Sequence, residues 1–133
     1  MSVNNILDGS FAVGPSGVIN TVNLLYNSTT KNSIYTKNGS ICTLLLPTIS
    51  NFVTNYSTIQ ITVPDLLVPK QSTTFYGQYT TNNISFYPIS VKLVAGSNTM
   101  TIMSQDTNTL VEGPFTVPQI NITSTIFITY QTN

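Results

Sequence analysis

Apolar and polar residues alternate along most of the chain, so that every second side chain falls on the same side of an extended backbone. In residues 57–63, for example, isoleucine or valine stands at positions 59, 61 and 63, with threonine or glutamine between them. This period of two is typical of a β-strand with one buried face. It predicts strands within residues 18–26, 33–37, 40–46, 57–63, 73–79, 84–93, 99–104 and 120–130.

Short turns, rather than long crossover segments, separate these predicted strands. Parallel neighbours need a connection of about a dozen residues, usually helical, and no helical window of that kind occurs in the sequence. We therefore predict an all-β fold, an antiparallel jelly-roll sandwich of about eight to ten strands. Residues 1–133 are expected to form a single jelly-roll domain, with 1–17 as a lead-in segment and 18–130 as the strands.

Local signals refine this prediction at three places. Asn38-Gly39, between two alternating runs, is the signature of a two-residue type I′ hairpin, because both central positions of that turn need positive φ. The last run is the longest, and its isoleucines and Tyr130 are expected to point inward from one strand over residues 120–130. Pro88 predicts a bulge or an edge position, because proline lacks the N–H that a central strand donates.

Ionisable side chains are rare in this sequence. The chain has four Lys, four acidic residues, no Arg and no His, which gives a formal net charge of zero. Only 6% of the residues are charged, against about 25% in an average globular protein. The polar residues are instead mainly threonine, asparagine and serine, with 22, 15 and 14 copies. Because hydrophobic residues make up 41% of the chain, we expect it to fold rather than stay disordered.

This composition excludes several classes of function. Without His the chain has no imidazole base and no histidine metal ligand, and without Arg its scattered lysines cannot form a basic patch for nucleic acid. Cys42 is the one cysteine, which excludes an internal disulfide, and its place in a strand predicts a small core residue. The longest apolar runs have about three or four residues, so we expect no membrane insertion. We also expect no catalytic residue, no metal and no cofactor.

The four acidic residues all lie beside turn-forming residues. Asp8 precedes glycine, Asp65 follows proline, Asp106 begins an Asp-Thr-Asn run and Glu112 precedes Gly-Pro. Turn chemistry accounts for this placement, because such side chains bond to backbone amides of their own loop. A calcium site from Asp106, Asn108 and Glu112 is the alternative, although the spacing of a known calcium loop is missing.

Two groups of residues are candidates for binding. Tyr76 and Tyr79, with Phe86 and Tyr87, lie near the turn at Asn82 and Asn83. Aromatic rings beside amides suit a neutral sugar, while the strand preference of aromatic residues explains the same pattern without any ligand. We take Tyr76, Tyr79, Asn82 and Asn83 as the candidate ligand-binding residues.

Phe127 is the second candidate. It is the one bulky apolar residue on the threonine-bearing face of the last predicted strand. It is either an ordinary exposed aromatic residue or part of a subunit interface.

Several segments, in their order and spacing, carry a family resemblance. They are LLY at 24–26, YTKNGSICTLLLP at 35–47, ITVPDLLVP at 61–69, YPISVK at 87–92, TMTIM at 99–103 and IFITY at 126–130. Together they resemble the carboxy-terminal head domains of viral and phage fibres and, more loosely, the trimeric complement-type and tumour-necrosis-factor-like jelly rolls. Such heads usually carry Arg before the hairpin glycine, and this chain departs from that pattern with Lys37.

The resemblance implies a non-enzymatic protein of the virion surface that forms a homotrimer and attaches to a host receptor or glycan. The alternative is a minor capsid or cement protein that contacts only other virion proteins. A pilus-like subunit is a third class, for which we expect a secretion signal that residues 1–8 do not resemble. With only Lys31, Lys37, Lys70 and Lys92, we expect attachment to a neutral carbohydrate or a protein surface rather than to an anionic polymer.

Overall fold

The computed structural model of the protein describes residues 18–133, and the lead-in segment predicted for residues 1–17 lies outside the described part. Eleven strands and a short 3-10 helix, Asp65–Leu67, occur in the described residues. The strands are β1 (Ile19–Tyr26), β2 (Thr29–Asn38), β3 (Ile41–Leu46), β4 (Ile49–Val53), β5 (Ile59–Thr62), β6 (Thr73–Thr80), β7 (Phe86–Leu93), β8 (Thr99–Gln105), β9 (Glu112–Gly113), β10 (Gln119–Ile122) and β11 (Ile126–Gln131).

The strands pair antiparallel in one curled sheet, in the order β11-β3-β2-β1-β5-β8-β7-β6-β10-β4, with β9 beside β8. Strand β1 meets β5 through only two residue pairs, and the sheet turns there from one layer to the other. The two layers face each other, as the edge-to-face contact between Tyr26 of β1 and Phe52 of β4 illustrates. The prediction of an all-β, antiparallel sandwich of the jelly-roll type is confirmed.

The core lies between the two layers and is built from the inward positions of nearly every strand. Ile59, Ile61 and Val63 are buried, as the alternation in residues 57–63 predicted. Cys42 is also buried, which confirms its prediction as a core residue, and burial raises the pKa of its thiol. Beside it, the Tyr130 hydroxyl donates a hydrogen bond of 2.7 Å to the carbonyl oxygen of Leu67. That bond ties the last strand to the 3-10 helix.

Close packing of β11 over β6 requires a glycine. A Cβ added at Gly77 in β6 would lie 2.9 Å from Cδ1 and 3.4 Å from Cγ1 of Ile126, and 3.5 Å from Cγ1 of Ile89. Because β11 and β6 are distant in the strand order, this contact joins the two layers of the sandwich. A larger side chain at this position would separate them.

Two local predictions were wrong in register or extent. Asn38 pairs with Ile41, so the two central residues of the hairpin are Gly39 and Ser40 rather than Asn38 and Gly39. Of these, only Gly39 has positive φ, at 63°, which is the pattern of a type II′ turn. Residues 120–130 form two strands instead of one, because the chain leaves β10 beside β6 and β4 and crosses to β11 beside β3.

Strand β4 was not predicted from the sequence.

Pro88 lies at an edge position of the sheet, which is one of the two alternatives that the sequence predicted. Pro88 pairs with Gln78 of β6, while the pairing of β7 with β8 begins only at Ile89. At Pro88, therefore, β7 has a neighbour on one side only, which is the edge position that proline tolerates.

Replacing Gly77 by valine is expected to lower the free energy of unfolding by about 1–3 kcal/mol, because the added methyl groups meet Ile126 of the facing layer and Ile89 of the neighbouring strand. Gly113→Val is the matched control, since an added Cβ at Gly113 has no neighbour within 4 Å. Urea denaturation of the two variants measures the difference. Equal stability of the two variants would contradict the packing described here.

Candidate functional site

We call the outer surface of β1, β2, β3 and β11 the Phe127 face. It consists of the outward side chains of those four strands. They are Ile19, Thr21, Asn23, Leu25, Thr30, Asn32, Ile34, Thr36, Asn38, Ile41, Thr43, Leu45, Phe127, Thr129 and Gln131. Among these described positions none is ionisable.

The lysines of β2 do not lie on this face. Lys31 pairs with buried Leu24 and Lys37 with buried Cys42, so both lysines stem from the inward side of the strand. Lys37 extends past the end of the core, where its Nζ donates to the carbonyl oxygen of Leu66 at 3.4 Å. The two positive charges are thereby turned away from the Phe127 face.

Phe127 stands next to an apolar groove on this face. Its side chain is 64% exposed, and its partner across the strands is Leu45. Phe127, Leu45 and Ile34, with Tyr35, Thr36 and Thr43, line a groove of about 300 Å³. The face therefore offers both a protruding aromatic ring and an adjacent recess.

Threonine side chains complete the surface around the groove. Thr43 and Thr129, which pair across β3 and β11, share a hydrogen bond of 2.9 Å between their Oγ1 atoms. This bond uses polar groups that would otherwise bind water, so the surface is easier to desolvate. Exposed apolar residues that gather around a groove, as Phe127, Leu45 and Ile34 do here, are typical of a protein–protein contact.

The predicted carbohydrate residues are not brought into one cluster. Tyr76 and Tyr79 point to opposite sides of β6: Tyr76 is 66% exposed on the outer side, whereas Tyr79 is 6% exposed in the core. The ring of Tyr79 packs edge-on against Phe115, with 5.1 Å between ring centres, and lies tilted against Tyr87 at 5.5 Å. Because the two tyrosines are three positions apart in a strand, the period of two places them on different faces.

Polar side chains in the turn at Asn82 and Asn83 bond mainly to backbone amides of the same turn. The side-chain oxygen of Asn82 accepts hydrogen bonds of 2.9 Å from the amides of Ile84 and Ser85. The hydroxyl of Thr80 accepts from the amide of Asn83 at 2.9 Å, and Asn83 has a positive φ of 61°. Both asparagines thus lie in the turn that the sequence predicted, and the side-chain oxygen of Asn82 is engaged in that turn.

Exposed Tyr76 instead takes part in a second site on the outer side of β6, β7 and β9, which we call the Tyr76 cleft. It is an open depression of about 740 Å³. Its lining residues are Thr74, Tyr76, Lys92, Gln105, Leu110, Val111 and Glu112. Of these residues, only Tyr76 was identified from the sequence as a ligand-binding candidate.

An ion pair lies at the base of this cleft. Lys92 Nζ lies 2.8 Å from Glu112 Oε1, and both side chains are partly exposed. This hydrogen bond from Lys92, helped by the nearby hydroxyl of buried Ser90, holds the pKa of Glu112 below its ordinary value. Glu112 lies in β9 and forms this ion pair, so the prediction that turn chemistry explains its position was wrong.

The loop between β8 and β9 forms one wall of the cleft. Asp106 Oδ1 accepts hydrogen bonds of 2.9 Å from the amides of Asn108 and Thr109, which confirms turn chemistry for this acid. The same bonds, with that from Thr109 the stronger influence, lower the pKa of Asp106. Leu110 has a positive φ of 60°, a conformation uncommon for leucine, and it is held exposed beside Val111.

Comparisons with known proteins give no assignment for these two surfaces. No family model, no curated protein and no solved structure matches the chain. Within residues 18–133, no cluster of three or more His, Cys, Asp or Glu side chains could hold a metal ion. The helical part of the described chain includes no segment long and apolar enough to cross a membrane.

Replacing Asp106 by alanine is expected to speed hydrogen exchange at the amides of Asn108 and Thr109, because both lose their acceptor. Asp106→Asn keeps a side-chain oxygen and should retain most of the protection. Lowering the pH of the unmodified protein through the depressed pKa of Asp106 should likewise reduce the protection factors of these two amides, corrected for the pH dependence of intrinsic exchange, since a protonated carboxyl is a weaker acceptor. Equal protection factors in all three cases would contradict this role. The measurement is amide exchange followed by NMR.

Proposed function

We propose that the chain is a non-enzymatic surface protein that assembles as a homotrimer through the Phe127 face and attaches the assembly to a second surface. This is the role of a viral fibre head, and the proposed location is the surface of a virion. The observation that carries the proposal is the uncharged Phe127 face, with its exposed aromatic ring beside an apolar groove.

The chemistry of the face favours another copy of the same chain as its partner. Burying a charged group in a contact costs several kcal/mol unless it is paired. A partner rich in charged residues would find no pairing group on the Phe127 face. A second copy presents only threonine, amide, aliphatic and aromatic groups there, so both surfaces lose water without leaving a charge unpaired.

The arrangement of ring and groove supports a closed assembly. Phe127 forms one wall of the groove, so ring and groove meet a neighbouring copy at the same place. When this place lies close to a threefold axis, Phe127 of each copy packs against the same region of both neighbours and the assembly is closed. A threefold ring corresponds to the trimer that the resemblance to fibre heads implies.

Three of the six segments that carry the resemblance, residues 24–26, 35–47 and 126–130, lie in the strands of the Phe127 face, and the other three lie elsewhere in the sandwich. In the proposed trimer the opposite layer, with the Tyr76 cleft, remains free for contact with a host receptor, a glycan or other virion proteins.

Replacing Phe127 by lysine is expected to reduce the native mass from three times 14.5 kDa toward a single chain, because it places an ammonium group in the desolvated contact. Val94→Lys is the control, since Val94 is also more than half exposed and lies in a turn away from the Phe127 face. Light scattering after size exclusion measures both masses.

Two outcomes would contradict the proposed assembly. A trimeric mass that Phe127→Lys leaves unchanged at low concentration would exclude this residue from the interface. A monomeric wild-type protein would contradict the trimer and would favour the alternative, a cement protein that binds only other virion components.

A further inference from the structure

We infer that the Tyr76 cleft binds a neutral saccharide, with the sugar ring on Tyr76 and its hydroxyl groups on Lys92, Glu112 and Gln105. The inference deepens the attachment role proposed above and rests on it, because it names the chemical class that the free layer of the assembly would recognise.

Tyr76 supplies a platform for one face of a pyranose ring. Its cross-strand neighbour on β7 is Ser90, a small buried residue. Because Ser90 does not cover the ring, Tyr76 is 66% exposed. An aromatic ring held by a strand presents a large apolar surface at little conformational cost. The carbon–hydrogen face of a sugar is the matching surface on the ligand.

Polar groups with unused bonding capacity surround this platform. Lys92 has three N–H donors, of which the bond to Glu112 uses one, and a carboxylate accepts at both of its oxygens. A sugar hydroxyl both donates and accepts, so neighbouring hydroxyls can bond to Lys92 and Glu112 together. Gln105 makes one side-chain bond, from Nε2 to the carbonyl oxygen of Leu110 at 3.4 Å. Its side-chain oxygen is a further acceptor.

The ion pair also selects for a neutral ligand. Lys92 and Glu112 are 2.8 Å apart and cancel each other, so the cleft has no excess charge of either sign. An anionic ligand would compete with Glu112 for Lys92 and leave the carboxylate unpaired in a partly buried place. A neutral saccharide can add its bonds without breaking the pair.

The wall of the cleft is shaped before any ligand arrives. The turn at Asp106 fixes the loop, and Leu110 is held at positive φ with its side chain exposed next to Val111. Holding exposed apolar side chains in an uncommon backbone conformation is typical of functional loops. These two residues would cover the apolar edge of a sugar that lies on Tyr76.

The test is an NMR titration of isotope-labelled protein with lactose, cellobiose, mannobiose and diacetylchitobiose, with a heparin fragment as the anionic probe. At least one neutral disaccharide is expected to shift the amide signals of Gln105, Val111 and Glu112 at millimolar concentration. Tyr76→Ala should weaken that binding about tenfold, and Tyr76→Phe should retain it because the ring remains. Tyr56→Ala is the matched control, since Tyr56 is 62% exposed in a different turn.

Glu112→Gln provides a second, independent variant. It keeps the size of the side chain and one acceptor oxygen, but it replaces the other acceptor by a donor and removes the charge that strengthens bonds from Lys92 and from sugar hydroxyls, so we expect binding to weaken about tenfold.

Several results would overturn the inference. They are no response to any of the four neutral disaccharides, a response to heparin alone, an equal loss of binding in Tyr76→Ala and Tyr56→Ala, or unchanged binding in Glu112→Gln. Native mass keeps this failure separate from a failure of the proposed assembly. A trimer that binds none of the four sugars would contradict only the saccharide site, whereas a monomer that binds one of them would contradict only the proposed trimer.

Discussion

Contact between the two layers of the curled sheet is the constraint on which the rest of the structure depends. Inward side chains from both layers share one core, and β11 approaches β6 closely only because residue 77 is glycine. Once the layers meet, every strand has a fixed inner and outer side. The inner and outer sides of the strands, rather than any local preference, determine where the two lysines of β2 and the two tyrosines of β6 lie.

Contact between the layers restricts only the inward positions, which must be apolar to form the core. The outward positions of β1, β2, β3 and β11 could therefore carry charged residues without cost to the fold. They carry none, and Phe127 stands exposed among them. On the opposite layer, Lys92 and Glu112 form a partly exposed ion pair that contributes little to stability. Neither surface is required by the fold, and we propose both as contacts with other molecules.

Regular alternation made the class of fold predictable, and the failures have local physical causes. Strand β4 was missed because Asn51, with positive φ, interrupts the period of two beside a shift in register with β10. The hairpin moved by one residue because cross-strand pairing, rather than the Asn-Gly signal, determines which positions form the turn. Tyr76 and Tyr79 are close in sequence but lie on opposite faces. Glu112 and Lys92 are twenty residues apart and meet only when β9 joins β8.

Assembly through a face without charges is tested most directly by the native mass of the unmodified protein across a range of salt concentrations. Salt screens charge–charge contacts, and the screening length falls from about 10 Å at 0.1 M to about 3 Å at 1 M. Assembly through the Phe127 face predicts a mass of three times 14.5 kDa at both concentrations. A mass that falls toward a single chain as salt rises would contradict this account, because it would show that the copies are held together by charged groups that this face does not carry.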